Sequence, residues 1–244
     1  MPRNVLVIGH SHVHAVRTAA IKRREEDPER PRTRTIYLLD DAFGGEMEGD
    51  DFSAGVKAAI LDQVQRHNPI IASAIGGNAH AAMTMIPYRR IDFALSGDDA
   101  LPMDDAAEIV TEEEMRRDLE LALRHDIDRL RLLHRLIGPY WHLESPPPVR
   151  RSDWVMERAE RFFTDKPEFH TLGVAEPGIR YRAWRLANRI IKAELDALGC
   201  GYVPVPRHVC GEAGLLRPSF GRDATHGNHH FGEAMIQALE AVAS

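Results

Sequence analysis

The chain is poor in cysteine, has no long apolar run and carries no excess of positive charge. Cys200 and Cys210 are its only cysteines, too few for a disulfide framework and not spaced as a CxxC pair. They read as small, semi-buried residues of a protein kept in a reducing compartment. No apolar stretch approaches the roughly 20 residues that cross a bilayer. No basic segment followed by an apolar one and a cleavage site precedes the first strand-like run. A cytoplasmic protein without a membrane partner is therefore expected. Lys and Arg number 31 against 37 Asp and Glu, a net charge of -6, which argues against a nucleic-acid partner because such surfaces are basic. The clusters Lys22-Arg23-Arg24 and Arg150-Arg151 have acids close by and read as solvated faces.

What is present is an ordinary apolar fraction, 43% of 244 residues, enough for one full-sized α/β core. Val5 to Ile8 is a continuous apolar run ended by Gly9, the pattern of a strand buried on both faces. Val13 to Arg24 reads as a helix, Thr35 to Leu39 as a second strand, and Phe52 to His67 as a helix stopped before Pro69. Ile70 to Ile75 is a third buried strand closed by Gly76-Gly77-Asn78. Thr111 and Glu114 form a capping box that opens a helix with Met115, Leu119, Leu123, Ile127, Leu130, Leu133 and Ile137 on one stripe. Tyr140 to Leu143 predicts a fourth strand, Ser152 to Phe163 and Ile179 to Leu198 predict helices, and Tyr202 to Val205 a final strand. Phe231, Met235, Leu239 and Val242 mark the last helix. Strands alternating with helices define the α/β class. The expectation is a single domain over residues 1–244, a three-layer α/β/α sandwich with a parallel sheet of flavodoxin-like type. A lid or insertion is expected within residues 96–137, whose first part is acidic and poor in pattern.

Ligands bind beyond the carboxyl ends of the strands in such a sheet. Ser11 follows the first strand, Gly44 and Gly45 lie beyond the second, Gly76 to Asn78 close the third, and Asp223 with His226 precede the last helix. A serine becomes a nucleophile when a histidine takes its proton and an acid orients that histidine. Ser11, His226 and Asp223 are the candidate catalytic residues. The Ser11 amide, Gly45 (or Gly44) and the Asn78 side-chain amide are candidate donors to an oxyanion. His10, His12, Gly77 and His80 are expected to line the substrate space.

The ordered set Gly9-His10-Ser11, Gly76-Gly77-Asn78 and Asp223-Ala224-Thr225-His226 resembles the SGNH-hydrolase superfamily, the GDSL esterases and lipases. The resemblance spans nearly the whole chain. It implies an SGNH-like fold and cleavage of a carboxylic ester of a small or sugar-like molecule, through an acyl-enzyme and without a metal or organic cofactor. His10 stands where that family carries an Asp, and Ala79 where it often has an acid after the Asn. Three other readings stand beside it: an acyltransferase using the same residues, an inert binding domain of the same fold, and a metal-dependent hydrolase built on His10, His12 and His14 with His226, His229 and His230. Taken singly, Ser11 reads equally as the N-cap of the first helix, and Asn78 as the cap of a turn.

Overall fold

The computed structural model describes residues 3–98 and 100–243; Met1, Pro2, Ser244 and Asp99, the last inside the expected insertion, lie outside the described residues. Five strands form the main sheet: β1 (Val5–Gly9), β2 (Thr33–Tyr37), β3 (Ile70–Ala74), β4 (Trp141–Leu143) and β5 (Gly201–Val203). Every pairing is parallel and the order is β2-β1-β3-β4-β5. That is the flavodoxin-like order, in which the chain reverses direction across the sheet between β1 and β3. The loops leaving those two strands part from one another and open a crevice at their carboxyl ends.

Alternation along β1 builds the two faces. Val5 and Val7 join a core with Val13, Val16 and Ala19 of helix α1 (Val13–Glu26) and with Phe231, Met235 and Leu239 of the last helix. Leu6 and Ile8 point the other way, into a core with Val56 and Ile60 of α2 (Ala54–His67) and Leu119 and Leu123 of α4 (Glu112–Ile137). Leu186 and Ile190 of α8 (Pro177–Ala197) complete that layer. Between these lie α3 (Ala79–Thr84), α5 (Ser152–Arg158), α6 (Arg161–Thr164) and α7 (Pro167–Leu172), and α9 (His229–Val242) closes the fold. The result is the α/β/α sandwich that the alternation of elements implies. Gly9 is required by close approach: a Cβ there would stand 2.2 Å from the Ala74 carbonyl oxygen.

Two elements differ from their sequence reading. The second strand begins and ends two residues earlier, because its register runs from Val5↔Thr33 to Gly9↔Tyr37 and β1 ends there. Leu38 adds one bond to the Gly9 carbonyl, and the Asp40 side chain then turns the chain by accepting from the Ala42 amide. The helix read over Ser152 to Phe163 is broken at Ala159 and Glu160, both extended (ψ 142° and 159°).

The segment that enters the expected insertion is clamped by charge. Asp92, buried, accepts from Arg182 of α8 through both carboxylate oxygens, and from the Phe93 and Asp104 amides at 2.9 Å. Arg182 also donates to the Leu101 carbonyl at 3.0 Å. Residues 91–92 and 108–109 pair as a short parallel ladder. Α4 itself is an integral core helix, and its Ala122 and Asp126 face the crevice near Ser11. Removing one partner of a buried ion pair leaves the other charge uncompensated, at a cost of about 3–5 kcal/mol. Asp92→Ala should therefore lower the unfolding free energy by about that amount in urea titration.

Candidate active site

The residues that the sequence places at three loops meet in the crevice. The turn after β1 is tied to β3 by the His10 amide, which donates to the Ala74 carbonyl at 3.2 Å. It then presents Ser11, whose hydroxyl donates to His226 Nε2 at 2.6 Å. His226 Nδ1 donates to Asp223 Oδ1 at 2.7 Å. The same carboxylate oxygen accepts the backbone amides of His226 (2.8 Å) and Thr225 (3.2 Å). Arg222 Nε holds the other oxygen at 2.8 Å. The loop ahead of α9 is thus folded around Asp223, and the imidazole is presented to Ser11 with its proton on Nδ1.

A second carboxylate stands at the same nitrogen. Glu160, at the break between α5 and α6, lies 3.0 Å from His226 Nδ1 and accepts a short hydrogen bond from the Thr225 hydroxyl. Its other oxygen is buried without a partner. Nothing in the sequence pointed to Glu160, since its segment reads as unbroken helix. Burial by itself lowers the His226 pKa, but the hydrogen bonds to Asp223 and Glu160 and the charge of Asp223 outweigh it and raise the pKa above its ordinary 6.5. Asp223 moves the opposite way: burial pushes it up, yet the bonds to His226 and Arg222 hold it well below the usual carboxylate range.

Asn78 follows Gly76 and Gly77, both at positive φ (77° and 103°). A Cβ on Gly77 would stand 2.6 Å from His12 Nε2 and 2.8 Å from Ser145 Cβ, so only glycine passes there. The Asn78 side-chain nitrogen lies 3.5 Å from His226 Nε2, beside the Ser11 hydroxyl, and its Oδ1 is buried without a partner. Neither Ser11 nor Asn78 caps a helix with its side chain: position 12 is the N-cap of α1 and 78 that of α3, and neither makes a side-chain cap bond.

His10 lines the crevice but is held as structure. Its Nε2 donates to Glu46 at 2.8 Å, and its Nδ1 accepts the Gly76 amide at 3.3 Å. Glu46 is in turn clasped by Arg129 of α4 at 2.7 and 2.8 Å. Burial pushes the Glu46 carboxyl up, and the His10 and Arg129 bonds bring it down to about 2. This network ties the loops after β1 and β3 to α4.

Three expectations need correction. Gly45 does not line the crevice: it is exposed and its carbonyl accepts the Ser53 hydroxyl at 2.7 Å, while Glu46 of that loop meets the site through its bond to His10. His12 and Gly77 lie behind the crevice rather than on it. His12 is buried with both ring nitrogens unpartnered, packs its ring 5.0 Å from that of His226, and is kept neutral by burial and then by the neighbouring His226. His80 is also buried, its pKa pushed down to about 3 by burial alone. The N-terminal and C-terminal histidines do not gather into a donor set. His14 packs at a tilt against Tyr37, and His229 pairs with Lys22 and His230. Among the described residues, the group able to hold a cation is Glu160, Asp223 and His226, and it would use the Nδ1 that the proton occupies.

A hydroxyl, imidazole and carboxylate in line at the switch point of a parallel sheet define a serine-hydrolase-type arrangement. No protein-family model matches the chain, and no curated protein matches it. Several solved structures are similar in outline. One is a Streptococcus pneumonia protein provisionally named a platelet activating factor (13% identity, 100% of this chain and 85% of that one, TM-score 0.49). Another is a GDSL-like lipase from Bacteroides thetaiotaomicron (12% identity, 100% and 90%, TM-score 0.43). A third is an acetyl-xylooligosaccharide esterase from Geobacillus (11% identity, 97% and 91%, TM-score 0.41). At such scores the likeness is one of chain trace and not of chemistry.

Proposed function

We propose that this chain is an SGNH-type ester hydrolase acting on a small molecule, with Ser11 as nucleophile, His226 as general base and acid, and Asp223 and Glu160 as the acids that orient it. The observation that carries this reading is the unbroken line of hydrogen bonds at 2.6 and 2.7 Å from Ser11 Oγ through His226 to Asp223. Ser11 Oγ attacks the ester carbonyl as its proton passes to Nε2. The tetrahedral oxyanion is received by the Ser11 amide and the Asn78 side-chain amide. Its collapse breaks the ester C–O bond, the alkoxide takes the proton from Nε2, and the acyl group stays on Ser11. Water, deprotonated by His226, then repeats the cycle and releases the acid.

The crevice has a volume of about 400 Å³, walled by Phe162, Phe163, Ala79, Ala82 and Ala122. No Lys or Arg lines it, whereas Asp126 and Glu160 do. Burial raises the Asp126 carboxyl pKa despite nearby His10 and Arg129. An uncharged acyl group of modest size fits these walls, and an anionic one would meet the carboxylates of Asp126 and Glu160.

Reaction with a fluorophosphonate should place one covalent adduct on Ser11, read by peptide mass spectrometry; an unmodified Ser11 in folded protein would exclude it as nucleophile. The pH profile gives a second readout. His226 must be neutral to accept the proton, and its pKa is raised, so the acid limb of kcat/KM should lie above 6.5. The ion pair stabilises the fold fully below 6.5 and ceases to do so as pH climbs through the folded pKa. An acid limb at or below 6.5 would show that the two carboxylates do not act on His226.

A further inference from the structure

A cavity larger than the one beside Ser11 lies elsewhere on the same molecule. It measures about 780 Å³ and lies past the carboxyl ends of β4 and β5, lined from the chain after those strands (Glu144, Val205, Arg207) and from α8. In an open parallel sheet this rim is where ligands are received, and the volume falls within the roughly 300–1,000 Å³ of small-molecule sites. The mechanism proposed above uses none of its residues.

Three independent features mark it as built to receive something. First, its charge runs against that of the chain. The protein has a net charge of -6, yet the cavity is lined by Arg185, Arg189, Lys192 and Arg207 with Glu144 as its sole acid. Three of these cations are spaced on one face of α8, at i, i+4 and i+7. Their present partners are these: Arg185 meets Asp98 at 3.2 Å, Lys192 meets Asp196 on the exposed face of the helix, and Arg189 donates one bond to the Ser96 carbonyl. The exposed Lys192–Asp196 pair contributes little and exchanges readily for a ligand anion, whereas Arg185 holds a nearly buried Asp98. Arg207 is exposed, and among the described residues its guanidinium has no hydrogen-bond or ion-pair partner, its carbonyl alone accepting the Cys210 amide at 3.1 Å.

Second, the floor is polar, buried and ordered. The Tyr202 hydroxyl donates to Asn188 Oδ1 at 3.1 Å, Asn188 Nδ2 donates to the Trp184 carbonyl at 2.9 Å, and the Glu144 carboxyl accepts the Val205 amide at 2.7 Å. Burial raises the Glu144 pKa against the Val205 and Tyr202 bonds, which favours its neutral, donating form. Tyr181, Trp184 and Tyr202 add aromatic rings to the lining. Third, the loop on the far side is strained. Ala213 adopts φ 57°, and the other non-glycine residue with positive φ, Asn68, is the αL cap of a helix. Next to Ala213, Gly214 is pressed so close to Tyr181 that a Cβ would stand 2.9 Å from its hydroxyl. Strain of this kind persists where surrounding structure enforces it, and clusters at ligand clamps.

We propose that this cavity is a second binding site, for an organic phosphate whose ring-bearing body sits against Tyr181, Trp184 and Tyr202 while its phosphates meet Arg185, Arg189, Lys192 and Arg207. A nucleoside diphosphate is the representative ligand: it has a planar base for the aromatic rings, hydroxyls for the Asn188–Tyr202 floor, and enough charge for four cations. The site is linked to the catalytic one through Ser145, which accepts Trp184 Nε1 at 3.2 Å and Asn188 Nδ2 at 3.4 Å through its hydroxyl and crowds Gly77 from the other side.

Isothermal titration calorimetry of the full chain with ADP, pyrophosphate and adenosine tests this. One ADP should bind per chain, at least tenfold more tightly than either pyrophosphate or adenosine. The double variant Arg189→Ala/Arg207→Ala should weaken ADP binding at least tenfold without changing the melting temperature of the free protein, and Ser11→Ala should bind ADP as the parent does. The proposal is overturned if no ADP binding is detected at millimolar concentration, or if the arginine variant binds ADP unchanged. It is equally overturned if pyrophosphate binds as tightly as ADP, since the aromatic wall would then contribute nothing, or if Ser11→Ala abolishes binding, which would put the ligand in the catalytic crevice.

Discussion

Ser11→Ala is expected to reduce kcat/KM for a short p-nitrophenyl ester by a factor of about 10⁴ or more. The reason is chemical and local. In the proposed mechanism the hydroxyl oxygen becomes bonded to the acyl carbon, and the alternative, a water held by His226, lacks the effective molarity of a side chain already 2.6 Å from the base. Some catalysis should survive, because the amides that receive the oxyanion and the cavity walls remain. Stability should barely move. The substitution removes one hydrogen bond, about 1 kcal/mol, which for a chain of this size is about 2–4 °C in Tm. A variant that keeps a tenth or more of the parent activity, with unaltered Tm, would transfer the chemistry to another residue. A parent protein that turns over no ester and takes no fluorophosphonate would instead match an inert domain of this fold.

Much of the site could be read before the fold was known, and the reason is topological. The inner strands β1 and β3 are largely buried on both faces, so their apolar runs are conspicuous. The residue just past such a run must emerge at the same rim as its neighbours. Ser11, Asn78 and the Asp223–His226 pair therefore announce themselves by position. What could not be read depends on contacts between distant segments. Glu46 reaches His10 and Arg129 across 36 and 83 residues, and an acid in a loop after an edge strand carries no local mark of that pairing. The buried Asp92–Arg182 pair is of the same kind, an arginine on an amphipathic helix whose partner lies 90 residues away. The sequence extends the second strand to Leu39 because Leu38 and Leu39 look like strand, yet of the two only Leu38 is buried. His12 and His80 read from the sequence as substrate-lining residues; in the fold both imidazoles are buried and their pKa values pushed down by that burial, His12 packing against His226.

Glu160 leads to the second large effect, visible only when two acids are removed together. In a serine-histidine-acid site, replacing the acid by its amide typically costs about 10⁴ in kcat because the imidazole loses its tautomer and its charge partner. Here Asp223→Asn alone should cost only about tenfold, since Glu160 already lies 3.0 Å from Nδ1 and is free of the Arg222 guanidinium that partly neutralises Asp223. Glu160→Gln alone should also cost about tenfold at most, because Asp223 keeps the shorter bond of 2.7 Å. The double variant should fall by about 10⁴, a hundredfold beyond the product of the singles, a coupling of about 2.7 kcal/mol. The pH profile must move in step. Each single change withdraws one of the bonds that raise the His226 pKa, so the acid limb should shift to lower pH in both and furthest in the double variant. NMR titration of the His226 ring nitrogens reads the same shift without any substrate. If Asp223→Asn alone gives the full 10⁴ loss, Glu160 is a neighbour of the imidazole and not its second support. If all three variants retain parent activity, neither carboxylate orients the base, and the line from Ser11 through His226 ends at the imidazole.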